Sequence, residues 1–347
     1  MVTLGGDCHK RSHTVVAVDE NGRQLGELRV EATPVGHGEA LGWGRQWPER
    51  RWALENCRHL SRGLERDLLA AGEAVLQVSP RLMGGARRFG REQGKSDPID
   101  ALAVARAALR EANLPVAQLE GRSRDLKLLV DHREDLVGER TRIQNRLLWH
   151  LHSLEPGFKV GTRGLVRSIV MTEVRRRLEM HRDVEAEVAR ELVDRLVELT
   201  QSVNALQHRI EALAAELAPS LLRLPGCGGL STAKLVAETA DVRRFHSSSA
   251  FAMHNGTAPI PVWSGNRERH RLNRGGNRQL NVALHRIAIT QIRLGGLGSS
   301  YVARRIASGD TKTEAIRALR RQISDEVYRR LCKDALAPVS VPSATAA

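Results

Sequence analysis

The sequence predicts an α/β domain followed by long helices and a basic, mainly α-helical domain. Short alternating apolar segments fill the first eighty residues, an apolar seam at heptad spacing follows, and a strongly basic helical block occupies the last third. These three patterns divide the chain into four segments. They are an α/β domain at 1–118, coiled-coil oligomerisation helices at 119–220, a basic domain at 221–333 and a disordered tail at 334–347.

Five short segments of the first domain have the composition and alternation of β-strands. A turn at Asp19–Gly22 joins the second and third as a hairpin, and an amphipathic helix at Leu60–Ala71 separates the fourth from the fifth. A hairpin followed by β-α-β alternation indicates an α/β sheet. The predicted strands are Val2–Leu4, Thr14–Val18, Leu25–Val30, Arg51–Leu54 and Ala74–Val78.

A glycine-rich segment at 81–95 carries five basic side chains against one acidic side chain. This composition predicts a mobile loop that faces phosphate groups. Ser96 then stands where a helix N-cap is expected, before a predicted helix through Ala101–Leu109. The nucleic-acid-binding candidates of this loop are Arg87, Arg88, Arg91 and Lys95.

Apolar residues of the segment 119–220 recur at alternating spacings of three and four, the pattern of an a/d seam. Arg133 and Arg140 interrupt the seam of the first long helix, and Pro219 ends that of the second. The two helices pair either with each other or with a second subunit, and the sequence leaves both open. The seams consist of Leu126, Leu129, Leu136, Ile143 and Leu147, and of Leu192, Leu196, Leu199, Val203, Leu206, Ile210, Leu213 and Leu217.

The net charge indicates a polyanionic partner. Lys and Arg number 54 against 40 Asp and Glu, which leaves a formal charge of +14. Twenty of the basic residues lie within 221–333, with only seven acidic ones. Nucleic acid is the first candidate for such a partner. Aromatic residues make up 3% of the chain, which argues against a base-stacking platform.

Cysteine usage and hydropathy predict a reduced cytoplasmic protein without a membrane segment. The four cysteines are isolated, and none has the C-x-x-C spacing of a zinc site or of a disulfide framework. No apolar run has the length that spans a bilayer, and the first residues contain no signal-peptide core.

Four carboxylates are the candidates for a metal site. Asp7 and Glu55 follow predicted strands, and Asp97 and Asp100 lie three apart at the start of a helix, where they share one face. Ligands of open α/β sheets gather beyond the carboxyl ends of the strands, where Asp7 and Glu55 are expected. Oxygen ligands without a Cys or His cluster favour Mg²⁺, with Mn²⁺ as the alternative. Taken singly, each acid also fits a surface or capping role.

Two glycine-rich turns of the basic segment are candidates for phosphate contact. Leu224–Gly229 is similar to the hairpin of a helix-hairpin-helix motif, with Gly226 and Gly228 at the backbone of the duplex. A plain turn between helices is the alternative. The loop 274–278 precedes a predicted helix from Leu280. The phosphate-binding candidates of that loop are Arg274, Asn277 and Arg278.

Ser264 and the Gly265 that follows it lie in a proline-flanked segment predicted to be an exposed loop. A serine hydroxyl is a weak nucleophile unless the attacked phosphorus is made more electrophilic. Nearby guanidinium groups would have this effect, because they neutralise charge on the phosphate in the transition state. The arginines just downstream are Arg267, Arg269, Arg271 and Arg274. From the residues alone, Ser264 is interpreted as a solvated turn residue, and the histidines, His9 among them, as surface or core residues.

These sets of residues together resemble the DEDD-type transposases of bacterial insertion sequences (insertion sequence family 110), whose members are bridge-RNA-guided recombinases. The resemblance spans roughly residues 2–332. One departure is Gly5–Gly6, where a larger apolar residue is expected. The residues that carry the resemblance are Gly6–Asp7 with Lys10, Ala53–Glu55, Lys95–Asp97, Asp100–Ala101, Leu224–Gly226, Ala258–Pro259, Ser264–Gly265 and Arg274–Arg278.

The resemblance implies an RNase H-like first domain, similar to RuvC-type junction resolvases, with Mg²⁺ held by Asp7, Glu55, Asp97 and Asp100. It implies a coiled-coil stalk, and it implies that Ser264 attacks a DNA phosphate to form a covalent phosphoserine link. Two subunits each supply half of the active site in that family, so a homodimer or homotetramer is expected. The resemblance further implies that a structured non-coding RNA pairs with double-stranded donor and target DNA and selects their sequences, and that this bacterial protein associates with the nucleoid during activity.

Two other functions are compatible with the sequence. A metal-dependent junction resolvase would hydrolyse DNA with no covalent intermediate, so that cleavage would survive the loss of Ser264. A non-catalytic RNA–DNA scaffold would tolerate the loss of all four carboxylates.

Overall fold

The computed structural model divides the chain into two compact units, Met1–Glu120 and Gly121–Ala347. The predicted domain boundaries within 119–347 stay a prediction. The phosphate-facing candidates Arg87, Arg88, Arg91 and Lys95 lie outside the described residues, as does 337–347 of the predicted tail. The described residues are 1–55, 59–80, 82, 96–111, 114–117, 121–161, 164–265, 267–273 and 275–336, without the side chains of 264 and 267–270.

A five-stranded mixed sheet forms the centre of the first unit. The strands lie in the order β3-β2-β1-β4-β5; β1, β2 and β3 are antiparallel neighbours, whereas β4 runs parallel to β1 and β5 parallel to β4. All five predicted strands are confirmed, and the order agrees with the RNase H-like class. The strands are β1 (Val2–Cys8), β2 (Ser12–Val18), β3 (Gln24–Glu31), β4 (Arg50–Glu55) and β5 (Val75–Val78).

Helices cover both faces of this sheet. On one face, α1 (Pro34–Gly44) and α2 (Arg62–Ala70) pack over Leu4 and Trp52. On the other face lies α3 (Asp97–Arg110). The structure places Ser96 at the N-cap of α3 as predicted, although its hydroxyl makes no capping hydrogen bond.

Helix α1 was not predicted, although start signals were present. The Oγ1 of Thr33 accepts a hydrogen bond from the amide of Gly36 at 3.2 Å, and Pro34 opens the first turn. Four glycines among eleven residues lower the helix propensity and blur the apolar pattern. The helix is held instead by packing, because Ala40 is fully buried against the sheet.

Strand β1 meets helix α3 at a glycine. A Cβ on Gly5 would press on the carbonyl oxygen of Ala101 and lie 2.5 Å from the amide nitrogen of Ala105, and one on Gly6 would lie 2.6 Å from Leu54 Cδ2. The expectation of a larger apolar residue is therefore wrong at Gly5, because the backbone of α3 occupies the space of a side chain; at Gly6 the side chain of Leu54 occupies that space. The glycines allow α3 to rest directly on the strand that carries Asp7.

A buried polar chain lies on the opposite face of the sheet from α3. His13 Nε2 is 3.2 Å from His37 Nε2, and His37 Nδ1 donates to Asp67 Oδ2 at 2.6 Å. His13 is 1% exposed, and its Nδ1 has no hydrogen-bond partner among the described residues. Burial, followed by the charges of His37 and His9, lowers the pKa of His13 to about 4.

This depressed pKa predicts a loss of stability in mild acid. The unfolded chain takes up a proton on His13 below about pH 6.5, whereas the folded chain does not until about pH 4. The free energy of unfolding therefore falls as pH drops between these values, by ~3 kcal/mol at most. Urea denaturation should show a flatter dependence in His13→Gln, whereas His59→Gln, an exposed histidine, should keep the wild-type slope. Equal slopes in all three proteins would contradict this account.

Two long antiparallel helices begin the second unit, α4 (Arg122–Leu154) and α6 (Val184–Leu217). Their direction follows from cross-helix pairs at both ends: Arg122 with Glu216, and His150 Nδ1 with Glu185 Oε1 at 3.0 Å. The seam residues predicted for both helices are buried or partly buried, and all except Val203 belong to two cores to which both helices contribute. Ile143, Leu147 and Leu196 are buried in one core and Ile210 in the other. The helices thus pair with each other within one chain.

The segment between the two long helices is only partly helical. Residues 155–161 are not helical, and a short 3-10 turn at Gly164–Val166 precedes α5 (Ser168–Leu178). Phe158, Leu165 and Val174 pack against the far ends of α4 and α6.

The basic part of the chain is built on the near ends of the long helices. Leu126 and Ile210 share one core with Leu235, Phe251 and Leu284. None of the helices in the described part of the chain has the length and apolar character required to cross a bilayer. The helices that form this part are α7 (Pro219–Leu222), α8 (Gly229–Thr239), α9 (Ser248–Asn255), α10 (Arg278–Leu294), α11 (Leu297–Ala307) and α12 (Lys312–Leu336).

Two features of this part correct the sequence analysis. The segment around Ser264 is a β-hairpin of β6 (Ile260–Ser264) and β7 (Arg267–Arg271), not a loop. Prolines mask it in the sequence, but a two-stranded ribbon has only edge strands, where proline is tolerated. Helix α12 runs to Leu336, so Asp334–Leu336 of the predicted disordered tail are helical.

Candidate functional site

The carboxyl ends of two neighbouring parallel strands place Asp7 and Glu55 at adjacent positions of the sheet. The register pairs Gly6 of β1 with Leu54 of β4, so Asp7 and Glu55 occupy the next position on each strand. Alternate residues of a strand share a face. Asp7 therefore lies on the side of Gly5, the side that α3 covers. Asp7 is 5% exposed, whereas Glu55 is half-buried.

Helix α3 adds two further carboxylates at its first turn. Asp97 Oδ1 lies 3.3 Å from His9 Nε2, and the same nitrogen lies 3.0 Å from Asp7 Oδ2. One ligand atom from each of these three residues lies within 4.8 Å of the others. Asp100 is 7% exposed and acts electrostatically on Asp7. Among the described residues, this close group does not include Glu55 or Asp100.

The electrostatics of Asp7 are those of a crowded carboxylate. Burial raises the pKa of Asp7, the contact with His9 lowers it, and the charges of Asp100 and Asp97 raise it further. The net shift is upward, so the folded protein holds the ionised form at a cost. The positive charge of a bound cation would stabilise ionised Asp7 and so offset both the burial and the repulsion from Asp97 and Asp100.

The donor set fits a hard divalent cation. Two carboxylates with adjacent oxygens, a third buried acid and a fourth at the next strand end supply oxygen ligands, which Mg²⁺ and Mn²⁺ prefer. His9 adds a nitrogen, which Mn²⁺ accepts more readily than Mg²⁺. Asp7, Asp97, Asp100 and Glu55 would hold the ion, with His9 beside them.

His9 was not predicted to belong to this acidic group. It was interpreted as an ordinary surface or core histidine, yet its ring lies between Asp7 and Asp97. A local signal was present, because residues two apart at a strand end fall on the same side. Its second partner, Asp97, is 88 positions away, and only the fold reveals that contact.

In the second unit, Ser264 ends strand β6 at the tip of the hairpin. Its backbone pairs with Arg267, and Gly265 follows with a φ of 58°, a left-handed turn conformation suited to glycine. The neighbouring Trp263 is 69% exposed. The low aromatic content of the chain had argued against a role for aromatic side chains, so this residue was not singled out. Arg271 and Arg278 are exposed. The side chains of Ser264, Arg267 and Arg269 and all of Arg274 are outside the described structure.

Asn277 is engaged within the protein. Its Oδ1 accepts from the amides of Gln279 and Leu280 at 2.9 and 3.1 Å, which caps α10, and its Nδ2 donates to Glu238 Oε2 at 2.8 Å. Lys127 of α4 donates to the other oxygen of Glu238 at 2.6 Å. Burial opposes the charge on Glu238, but these bonds outweigh it and lower its pKa. The network fixes the start of α10.

The turn before α8 depends on glycine. Gly226 has a φ of 79°, and a Cβ there would lie 3.0 Å from the carbonyl oxygen of Ile287. Gln291 holds the turn by donating to the carbonyl of Pro225 at 2.8 Å. Gly228, the N-cap of α8, is exposed, and no heavy atom lies within 4 Å of where its Cβ would be. Gly226 is thus required by the fold, and Gly228 leaves open space beside the helix start.

A mixed five-stranded sheet with acidic residues at its strand ends, in a chain that also contains a basic helical unit, is typical of proteins that process nucleic acids. The chain belongs to the IS110 family of insertion-sequence transposases. The transposase model of IS110-type DEDD enzymes matches residues 4–156, and the model for the transposase IS116/IS110/IS902 family matches residues 218–303.

Relatives of similar length are proteins of insertion elements. The 44.8 kDa protein of IS116 from Streptomyces clavuligerus is 26% identical over 95% of this chain and 94% of its own length. The 42 kDa protein of IS900 from Mycobacterium paratuberculosis is 26% identical over 92% and 93%. A solved structure of T. thermophilus RuvC in complex with a Holliday junction substrate covers 34% of this chain and 99% of its own, at 17% identity and a TM-score of 0.28.

Proposed function

We propose that this transposase cleaves and rejoins DNA by phosphoryl transfer, with a metal-binding DEDD tetrad and a serine nucleophile. The tetrad is Asp7, Glu55, Asp97 and Asp100, and the nucleophile is Ser264. The observation that carries the proposal is the crowded acidic group of Asp7, His9 and Asp97 at the carboxyl end of β1. Mg²⁺, or Mn²⁺ in its place, would neutralise charge on the attacked phosphate when bound there.

The chemistry assigned to Ser264 is a transesterification. Its Oγ forms a bond to phosphorus while a bond from phosphorus to a deoxyribose oxygen breaks, and the serine proton passes to the departing oxygen. A hydroxyl of the exchanged strand then reverses the reaction and releases Ser264. The register of the hairpin supports this assignment, since Ser264, Val262 and Ile260 stand opposite Arg267, Arg269 and Arg271.

The basic unit supplies the contacts to nucleic acid in this proposal. Exposed Arg271 and Arg278, with the glycine turn at Gly226–Gly228, contact phosphates of double-stranded donor and target DNA. The turn acts in the manner of a helix-hairpin-helix motif. A structured non-coding guide RNA selects the sequences by base pairing. Arg267, Arg269 and Arg274, with Arg87, Arg88, Arg91 and Lys95, complete the proposed phosphate contacts.

We infer that the α4–α6 pair also serves as a coiled-coil stalk for a homodimer or homotetramer. Its internal seam is satisfied within one chain, so the contact between subunits uses other surfaces. Large apolar side chains are exposed near its far end: Trp149 is 74% exposed, Val184 73% and Ile169 69%. Apolar side chains of this size favour burial in an assembly.

A denaturing gel tests the proposal. The protein is expressed with the DNA that flanks its gene, as wild type, as Ser264→Ala and as Ser300→Ala, an exposed serine of α11. We expect a protein-linked DNA band in the wild type and in Ser300→Ala and none in Ser264→Ala. Cleaved DNA without a linked band in all three proteins would favour a metal-dependent resolvase instead.

A further inference from the structure

Two arginines of α4, Arg133 and Arg140, form no ion pair within the described part of the chain. Arg133 Nη2 donates to Gln207 Oε1 at 2.9 Å, but its buried Nε has no hydrogen-bond partner in the described protein. Arg140, two turns further along, also has a buried Nε without a partner in that part of the chain. Burial lowers the pKa of both guanidinium groups. Buried donors without acceptors destabilise a fold.

Arg133 lines a small cleft between α4, α8 and α10. The cleft has a volume of about 60 Å³. Lys234 Nζ pairs with Glu134 Oε2 at 2.8 Å, so the one carboxylate of the lining is already neutralised. The other lining residues are Val130, Arg133, Ile210, Leu230, Ser231, Gln279, Val282, Ala283 and Arg286.

The remaining charge of the cleft is positive. Arg133 and Arg286 have no carboxylate within 4 Å among the described residues. The more distant charges of Glu134 and Glu211 favour the charged form of Arg133, whereas the charge of Arg286 opposes it. Arg286 is exposed at the mouth, whereas Arg133 lies deeper. Two guanidinium groups around a space of this size offer paired donors to a tetrahedral oxyanion.

We propose that this basic cleft, formed by Arg133 and Arg286, binds one phosphate group of a polynucleotide backbone. The proposal rests on the proposed function, which supplies the polynucleotide, and adds a contact surface on the stalk side of the basic unit. Ser231, in the first turn of the eleven-residue helix α8, adds a hydroxyl to the cleft. Arg140 extends the basic surface by about 10 Å along α4.

Salt dependence of binding tests the cleft with the full chain in EDTA, where no cleavage interferes. The probes are a duplex DNA and a single-stranded RNA of mixed sequence. We expect Arg286→Gln and Arg133→Gln each to reduce the slope of log K against log salt, by about 0.9 on duplex DNA or about 0.7 on single strands. A slope reduced on only one of the two probes identifies the nucleic acid that occupies the cleft.

Arg195→Gln is the matched control. Arg195 belongs to the same helix pair, but Glu139 and Glu198 neutralise it at 2.9 and 3.0 Å. Its slope should equal that of the wild type. If the wild type binds both probes and neither cleft variant changes a slope, the proposal of a phosphate-binding cleft is overturned and the proposed function stands. If the wild type binds neither probe, the cleft proposal and the proposed function are both overturned.

Thermal unfolding separates a binding role from a structural one. Without nucleic acid, Arg133→Met should keep or raise the Tm, because it removes a desolvated cation. Inorganic phosphate should raise the Tm of the wild type above that in chloride of equal ionic strength, and should do so less in Arg133→Met and Arg286→Gln. A lowered Tm in Arg133→Met together with an unchanged salt slope in Arg133→Gln would show a structural arginine. A response to phosphate without any change of slope would show a small-anion site and would overturn the proposal.

Discussion

Replacing Asp7 with Asn should abolish DNA cleavage while leaving the protein folded and able to bind DNA. Asp7 is the most crowded of the four acids, next to His9, Asp97 and the charge of Asp100. A metal ion contributes several kcal/mol to the transition state of phosphoryl transfer, so we expect a fall in rate of about 10³-fold or more. The measurement is single-turnover cleavage at saturating Mg²⁺.

The stability of Asp7→Asn separates catalysis from folding. The pKa of Asp7 is raised, which means that its ionised form weakens the metal-free fold, and asparagine removes that charge. In EDTA the variant should therefore unfold at or above the wild-type temperature. Glu20→Gln, at the exposed β2–β3 turn, is the control and should cleave normally. Wild-type cleavage rates in Asp7→Asn would show that the acidic group at β1 is not the metal site.

Adding one methyl group at Gly5 should damage both the fold and the site. In Gly5→Ala the new Cβ would meet the carbonyl of Ala101 and lie 2.6 Å from Ala105 Cβ, and these are backbone and short side-chain atoms that cannot rotate away. Overpacking of this kind costs about 2 to 3 kcal/mol in the free energy of unfolding. Helix α3 must shift, and Asp97 and Asp100 move with it, so cleavage should fall as well.

Gly42→Ala provides the comparison for Gly5→Ala. Gly42 lies in α1, and no heavy atom lies within 4 Å of where its Cβ would be. Alanine there should leave cleavage unchanged and raise the free energy of unfolding by about 0.5 to 1 kcal/mol, because glycine weakens a helix. Urea denaturation measures both variants. A Gly5→Ala protein as stable and active as the wild type would contradict the direct contact between β1 and α3.

The strands and the buried helix faces could be predicted from the sequence, because each depends on the spacing of apolar residues within a short segment. Alternation of apolar residues locates β1 to β5, and the a/d spacing locates the buried faces of α4 and α6. The partner of that face is not encoded in the spacing, since a heptad seam serves an intrachain and an intersubunit contact equally. The cross-helix pairs of Arg122 and His150 settle the intrachain contact.

The features that the sequence did not reveal arise from contacts distant in the chain. Gly5 looks out of place until the backbone of α3 lies against it. His9 belongs to the acidic group through its contact with Asp97, which is distant in the chain. The hairpin around Ser264 forms despite Pro261, because neither of its strands pairs with a further strand. Asn277, expected to face phosphate, instead caps α10 and holds Glu238.

Mass spectrometry of the protein–DNA adduct identifies the residue to which the DNA is linked. The adduct is isolated from wild-type protein expressed with its flanking DNA, digested with nuclease and protease, and fragmented to locate the nucleotide. If Ser264 is the nucleophile, we expect a single nucleotide remnant on the peptide that contains Ser264, attached to the Ser264 hydroxyl. A remnant on any other residue, or cleaved DNA with no modified peptide, would contradict serine-mediated strand exchange.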